Sequence, residues 1–393
     1  MLTMSVSIFD RNTLAVLAPS VTKAMGISES AYGWLAAAFA GAYLAATPLA
    51  GRWIDRIGAR RGLVYSVLVW SAVAALHALA PGFGMLIALR IGLGIAEGPS
   101  FPGAAQTMQR VLPPGDRSRG FGVLFSGSSI GAMAAPPIAS FLYDLAGWRV
   151  AVLGTAGIGL LWIPLWLVVT RRPGVAAQMD TPGPAPEPMP RPALRELVAH
   201  PIMVRALIAL FAVAPLVGFL MGWGAKILVQ RFGLTQGQVG AYLWLPPLVA
   251  DGGAILFGDL AARQRRPVGV PPRALLALAA LLATSLVLLP VAGTPWQWIA
   301  ITSVTVAGAA AVYTLVTADL LGRMPPGSVS AAAGIHAGAQ ALSVMIASPL
   351  IGLAVQRFGG YEGIEIVLGA WVVPGCLVWW WWRPAERFER ATA

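Results

Sequence analysis

The chain has 393 residues, of which 57% are apolar and only 11% are charged, a composition that argues against a soluble globular protein and predicts a polytopic membrane protein. The formal net charge is +11. Because the Lys and Arg residues are scattered over separate short segments, we expect them to set membrane topology and not to bind nucleic acid.

Twelve apolar runs predict transmembrane helices, because about 20 residues at about 1.5 Å rise match a hydrocarbon core about 30 Å thick. Six lie near residues 1–22, 31–51, 63–80, 84–108, 118–142 and 150–170. Six more lie near residues 203–229, 237–260, 273–292, 297–321, 328–355 and 362–382. The expected fold is therefore an all-α membrane protein with two six-helix halves, residues 1–170 and 202–383.

The segment between the halves, residues 171–201, contains eight prolines, which argues against a regular helix over most of its length and predicts a linker. Of the 24 Lys and Arg residues outside the spans, all but Lys23, Arg149, Arg231 and Arg357 fall on one side. By the positive-inside rule, the linker, both termini and the tail, residues 384–393, are expected in the cytoplasm. Since only nine residues precede Asp10, we expect the first helix to be a turn or more short at its cytoplasmic end.

Three basic residues, Arg11, Arg90 and Lys226, lie inside predicted spans, and so do the acids Asp10 and Glu97. A charge at the bilayer centre costs about 2.5 to 3.5 kcal/mol, so these groups are expected to face the protein interior and to pair. Arg90 and Glu97 are two helical turns apart, about 10 Å, which is too far for a direct pair. We therefore expect both to meet the first helix, with Asp10 pairing to Arg90 and Arg11 pointing at a substrate. The alternative is a static brace between helices.

A sequence signature follows the second span, and it reads Gly51-Arg-Trp-Ile-Asp55-Arg56-Ile-Gly58-Ala-Arg60-Arg61. It matches the pattern G-x-x-x-D-R-x-G-x-R-R, and the chain thereby resembles the major facilitator superfamily. The resemblance implies a gate in the loop after the second helix, where Asp55 lies near a helix N-terminus of the other half and the arginines hold cytoplasmic helix ends together. The alternative is a tight turn with topology-setting arginines.

Within that superfamily, the first half resembles the anion:cation symporter family, which includes carriers of hexuronates, aldonates and glucarate. The matching runs are Phe9-Asp10-Arg11, Phe39-Ala-Gly-Ala-Tyr43, Arg90 to Pro102 with Glu97 and Gly98, and Ser126-Gly127-Ser128-Ser129. The seventh helix departs from the family. Where relatives commonly have Trp-x-Pro-x-Tyr, this chain has Trp223-Gly-Ala-Lys226-Ile227.

The residues and the resemblance together predict a proton-coupled symporter of an organic anion that works by alternating access. Arg11 is expected to clamp a substrate carboxylate, because a guanidinium fork can bond both carboxylate oxygens. Glu97, and second Asp10, are expected to carry protons. Further candidates for substrate contacts are Tyr43, Arg90, Ser126, Ser128, Lys226, His336 and Gln340.

Each further candidate has a structural alternative. Hydroxyl and amide groups also join helices, and His336 can form an interhelical hydrogen bond. For Lys226, we expect the side chain to snorkel to the outer interface in preference to acting as a second clamp.

The sequence argues against two other classes of function. A proton-driven exporter of drugs or metabolites is the alternative, but such exporters usually carry G-P-x-x-G-G in the fifth helix, where this chain has Gly131-Ala-Met-Ala-Ala-Pro136-Pro137. An enzyme or receptor is disfavoured, because the sequence offers no soluble domain and no nucleophile-base set. We therefore expect no cofactor or metal, a proton gradient as driving force, a small carboxylate and the lipid bilayer as partners, and a monomer in the inner membrane.

Overall fold

The computed structural model describes residues 1–113, 116–180, 193–264, 266, 270–325 and 328–384, and these residues are helical without a β-strand. Nine of the described helices are long and apolar enough to cross a bilayer. The helices of the first part of the chain are α1 (Leu2–Met25), α2 (Glu29–Ile57), α3 (Ala59–Leu76), α4 (Phe83–Glu97), α5 (Ser100–Val111), α6 (Arg117–Thr170), α7 (Pro173–Asp180) and α8 (Leu194–Ala199). They are followed by α9 (Pro201–Phe232), α10 (Gly240–Leu243), α11 (Leu245–Arg263), α12 (Arg273–Thr284), α13 (Pro295–Arg323), α14 (Val329–Phe358) and α15 (Glu362–Trp381).

Helix α6 has 54 residues and would be about 80 Å long if straight, more than twice the thickness of a hydrocarbon core. Its backbone leaves the helical region at Ala146 (φ −159°) and at Gly147 (φ 81°). A positive φ is favourable for glycine because it has no Cβ. The break falls between the two predicted spans 118–142 and 150–170.

The described residues form two compact units. Unit 1 combines Met1–Ala185 with Met221–Trp244 and Ser348–Gln356, and unit 2 combines Pro186–Leu220 with Leu245–Ala347 and Arg357–Ala393. The bounds of the predicted six-helix halves stay a prediction.

Small residues bring the helices of unit 1 close together. A Cβ on Gly131 of α6 would overlap the carbonyl oxygen of Ser5, and one on Gly127 would overlap that of Met1, so α6 packs directly on the backbone of α1. Likewise, a Cβ on Gly94 of α4 would lie 2.6 Å from the carbonyl oxygen of Phe39 in α2. Close backbone approach through glycines is typical of helix packing in membranes. These contacts fix where α1 and α4 present their charged side chains.

The signature run at residues 51–61 was predicted to be a loop, and this was wrong. Its first seven residues are the last two turns of α2, and α3 begins at Ala59. Only Gly58 lies between the helices, with φ 81°, a conformation that favours glycine. The two helices therefore meet at a one-residue corner.

The predicted linker is helical at both ends. Helix α7 begins at Pro173, where proline is well tolerated because a first-turn N–H needs no partner within the helix. Helix α8 lies near the other end, and α9 begins at Pro201. The stretch richest in proline, residues 181–192, lies outside the described residues, as do residues 385–393 of the predicted tail.

Candidate functional site

A buried ion pair joins α1 to α4 in unit 1. The Glu97 side chain is fully buried, and its Oε2 accepts hydrogen bonds from Arg11 Nε at 2.5 Å and from Ser7 Oγ at 2.9 Å. Ser7 and Arg11 are four residues apart, so both face α4 from the same side of α1. Glu97 thus meets the first helix, as the sequence predicted.

Arg11 is the more accessible partner of this pair, with 21% of its side chain exposed. Its guanidinium carbon lies 4.3 Å from the ring centroid of Tyr43 and 5.2 Å from that of Phe39, both in α2. Contacts of this kind favour a cation over an aromatic face. Arg11 therefore covers Glu97 and is held in place by two rings, while part of its side chain remains exposed.

Asp10 and Arg90 do not form the predicted ion pair in this conformation. They line the same cavity of about 20 Å³, yet within the described part of the chain neither oxygen of Asp10 has a hydrogen-bond partner. Asp10 Oδ2 faces α6, because a Cβ on Gly159 would lie 3.4 Å from it. Arg90 lies over the Phe39 ring instead, at 4.7 Å. Adjacent residues on α1 diverge by about 100°, which turns Asp10 away from the Arg11 side.

Lys226 does not snorkel to the interface, so that prediction was wrong. The residue is only 1% exposed, and its Nζ lies 2.8 Å from Glu29 Oε1 and 3.1 Å from Thr22 Oγ1. It also lies 5.0 Å from the centroid of the Tyr32 ring. Glu29 supplies a local counter-charge, so the ammonium need not reach water. In this conformation Lys226 is engaged within unit 1.

The remaining predicted contacts are divided between the two units. Tyr43, Ser126 and Ser128 lie in unit 1. Tyr43 is half-buried beside Arg11, and Ser128 is half-buried as well. Ser126 is exposed, and its hydroxyl donates to the carbonyl of Gly122 at 3.0 Å. His336 and Gln340 lie in unit 2. Gln340 is exposed, whereas His336 lies on the face of α14 that packs against α13 and is buried.

His336 makes an interhelical contact. Its ring centroid lies 4.9 Å from that of Tyr313, and its Nδ1 lies 3.4 Å from Thr317 Oγ1. This geometry corresponds to the structural alternative considered for it.

The signature motif is anchored to α5 and α6. Gln106 of α5 donates from Nε2 to Asp55 Oδ1 at 3.0 Å and accepts the Ala59 N–H through Oε1 at 2.8 Å. Trp166 of α6 donates to the carbonyl of Arg60 at 3.1 Å. Gln106 therefore bridges the end of α2 and the start of α3, whereas Arg56 and Arg61 are exposed.

Sequence reasoning missed four polar residues at these sites. Ser7 could have been found from its spacing of four to Arg11, and Glu29 was passed over because the predicted second span began at residue 31. Gln106 carried no signal in the sequence, whereas Glu365 lies inside the predicted span 362–382 and was overlooked. Glu365 is fully buried in unit 2 and accepts a hydrogen bond from Trp298 Nε1 at 3.3 Å.

No group of three or more His, Cys, Asp or Glu that could hold a metal ion occurs in the part of the chain that the structure describes. A set of apolar spanning helices with an ion pair at membrane depth, one member of which is partly accessible, is typical of a membrane transporter.

Comparisons with known proteins agree with that class. Residues 1–343 match the Major Facilitator Superfamily, and the chain belongs to this superfamily of transporters. The fold is similar to that of a bacterial homolog of the human lysosomal transporter Spinster, solved in an inward-facing and occupied conformation. The TM-score is 0.77 at 17% identity, with 99% of this chain and 97% of that chain covered. The protein is thus a multi-pass transporter of the inner membrane.

Curated relatives confirm the resemblance to anion:cation symporters. The hexuronate transporter of Escherichia coli (strain K12) is 27% identical over 394 residues, with 94% of this chain and 89% of that protein covered. The galacturonate transporter of Dickeya chrysanthemi is 28% identical over 259 residues, with coverages of 63% and 75%. A probable galactarate/D-glucarate transporter of Bacillus subtilis (strain 168) is 23% identical over 400 residues, with coverages of 94% and 87%.

Proposed function

We propose that the protein carries a sugar acid or a related carboxylate in symport with protons, by alternating access. The observation that carries this proposal is the ion pair between Arg11 and the buried Glu97, in which the carboxylate binds the guanidinium of an arginine whose side chain is 21% exposed. The names of the curated relatives, carriers of hexuronate, galacturonate and glucarate, support the class of substrate.

In the proposed mechanism, Glu97 and the substrate compete for Arg11. Protonation of Glu97 removes the negative charge that holds the guanidinium, and the freed N–H groups then bind both oxygens of a substrate carboxylate. Phe39 and Tyr43 keep the guanidinium in place during the exchange. A proton and a substrate anion therefore favour each other's binding, which is the thermodynamic requirement for symport.

Asp10 and Arg90 form the second half of this charged site. The four groups Asp10, Arg11, Arg90 and Glu97 sum to zero charge, so one proton and one monoanion load the site without changing that sum. A second proton, taken by Asp10, would carry net positive charge inward. The membrane potential would then add about 2.3 kcal/mol per charge per 100 mV.

The proposed topology has twelve spans, cytoplasmic termini and a cytoplasmic linker, in a monomer. It counts α6 as two spans separated at Gly147. To the nine described helices that are long and apolar it also adds α1 as one span, and α4 and α5 together as another. The excess of basic residues on one side of the spans supports this orientation.

Uptake by proteoliposomes tests the proposal. Under an inward proton gradient we expect accumulation of glucuronate, galacturonate, galactonate or glucarate but not of glucose, and loss of accumulation when the gradient is collapsed. Arg11→Gln should weaken substrate binding by at least about tenfold, since a charge-assisted bidentate contact is worth more than about 1.4 kcal/mol. The matched control is Arg119→Gln, whose side chain is 87% exposed. Accumulation that is indifferent to the gradient, or full binding by Arg11→Gln, would contradict the proposal.

A further inference from the structure

Five arginines line a cavity of about 470 Å³ in unit 2. They come from the start of α9, from the connection into α12, and from the ends of α13 and α15. They are Arg205, Arg266, Arg273, Arg323 and Arg383. A volume of this size is within the range of sites for small ligands.

Two of these arginines form the buried base of the site. Arg205 is 2% exposed; its Nε donates to the Trp379 carbonyl at 3.0 Å, and its guanidinium lies over the Trp379 ring. Asp319 lies 3.4 Å from Arg205 Nη1 and accepts from Arg323 Nη2 at 2.8 Å. Asp319 thereby orients both guanidinium groups.

Among the described residues, positive charge predominates at the site. None of those that line the cavity is acidic, and Asp319 is the described carboxylate that contacts Arg205 and Arg323. Arg273 Nε is buried without a hydrogen-bond partner in the described part of the chain. Since a buried guanidinium N–H without an acceptor is costly and four further arginines line the cavity, this arrangement favours an anion with several acceptor oxygens.

We propose that this cavity, which we call the arginine cavity, binds a phosphate-bearing anion. A guanidinium fork matches the geometry of phosphate oxygens, and five such groups suit a ligand with more than one negative charge. In the topology proposed above, the cavity lies at the cytoplasmic end of the helices, where basic pockets meet the headgroups of anionic phospholipids. A soluble phosphate compound has the same chemistry and is the other source.

The test measures binding to the purified full-length protein in neutral detergent by native mass spectrometry. The probes are cardiolipin, phosphatidylglycerol, phosphatidylcholine and inorganic pyrophosphate. The test variant is Arg273→Gln/Arg383→Gln, which leaves the Asp319 pairs intact. The control is Arg119→Gln/Arg263→Gln, which removes the same charge from two exposed side chains outside the cavity.

We expect the wild-type protein to bind anionic lipid or pyrophosphate but not phosphatidylcholine. The test variant should bind at least about tenfold more weakly, and the control should bind like the wild type. Retention of lipid that pyrophosphate does not displace assigns the site to a headgroup, and displacement assigns it to a soluble phosphate.

Equal binding by the test variant and the wild type, or equal retention of phosphatidylcholine, would overturn the proposal. So would a wild type that binds neither the anionic lipids nor pyrophosphate while Glu386→Gln/Glu389→Gln binds one of them, because carboxylates of the chain's own C-terminal tail would then be the occupant. All of these readouts measure binding and not uptake, so they are independent of the proposed transport activity.

Discussion

At the scale of single residues, the Glu97 carboxylate determines what the charged site can do. It is fully buried, and a cation and a hydroxyl, from Arg11 and Ser7, donate to one of its oxygens. Withdrawal of Arg11 would leave a buried anion with a single neutral donor, which costs several kcal/mol. In the proposed mechanism, Arg11 therefore leaves Glu97 for a substrate only when a proton replaces it.

Glu97→Gln separates binding from energetic coupling. The amide keeps the shape of the side chain but cannot take up a proton, so Arg11 should remain available to substrate. We expect exchange of substrate across proteoliposomes to persist, while accumulation driven by a proton gradient falls at least about tenfold. Glu196→Gln, in the exposed first turn of α8, is the control. Accumulation by Glu97→Gln that follows the gradient as in the wild type would remove Glu97 from the proton path.

At the scale of helices, the positions of the charged side chains follow from glycine contacts. Gly127 and Gly131 let α6 approach the backbone of α1, and Gly94 does the same for α4 and α2. The hydropathy of the sequence predicts where each helix lies, because membrane depth sets its length. Hydropathy does not predict which face of α1 meets α6. For that reason the prediction of an ion pair between Asp10 and Arg90 was wrong for this conformation.

A matched pair of substitutions in α6 tests this packing. Adding one methyl group at Gly131 would overlap the Ser5 carbonyl, whereas at Gly122 the same methyl group meets no atom within 4 Å. We expect Gly131→Ala to lower stability by about 1 to 3 kcal/mol, since overpacking displaces the helices. Gly122→Ala should be neutral or stabilising, because alanine favours a helix by up to about 1 kcal/mol. Thermal unfolding in detergent measures both, and equal melting temperatures would show that α1 and α6 do not pack this closely.

At the scale of the whole chain, unit 1 is assembled from segments that are distant in sequence. Gln236 donates to the Val16 carbonyl at 2.7 Å, and Gln356 accepts the Ser30 N–H at 3.2 Å. Composition and motifs were sufficient to predict the class, the all-helical fold and the superfamily. Contacts between residues so far apart in the chain leave no periodic pattern in one sequence, so Lys226 was assigned to the interface and its partner Glu29 was missed.

The ion pair of Lys226 with Glu29 is expected to stabilise the present conformation. The proposed alternating access requires that the contacts of residues 221–244 with α1 and α2 break in another state, and this ion pair is one of those contacts. Removing one partner leaves a buried charge unpaired, which disfavours the present arrangement by about 3 to 5 kcal/mol. In a Cys376→Ser background, the buried position Ala225→Cys should then react with an impermeant maleimide at least about tenfold faster in Glu29→Gln or Lys226→Met.

The double variant Glu29→Gln/Lys226→Met distinguishes a charge effect from general damage. It removes both charges, and replacing a whole buried ion pair by neutral groups is often close to neutral in free energy. Its labelling rate should therefore lie nearer to the wild type than that of either single variant. If all three variants label alike and fast, packing and not charge holds the segment. If none labels faster than the wild type, the pair does not take part in opening, and substrate must reach Arg11 by a route that leaves it intact.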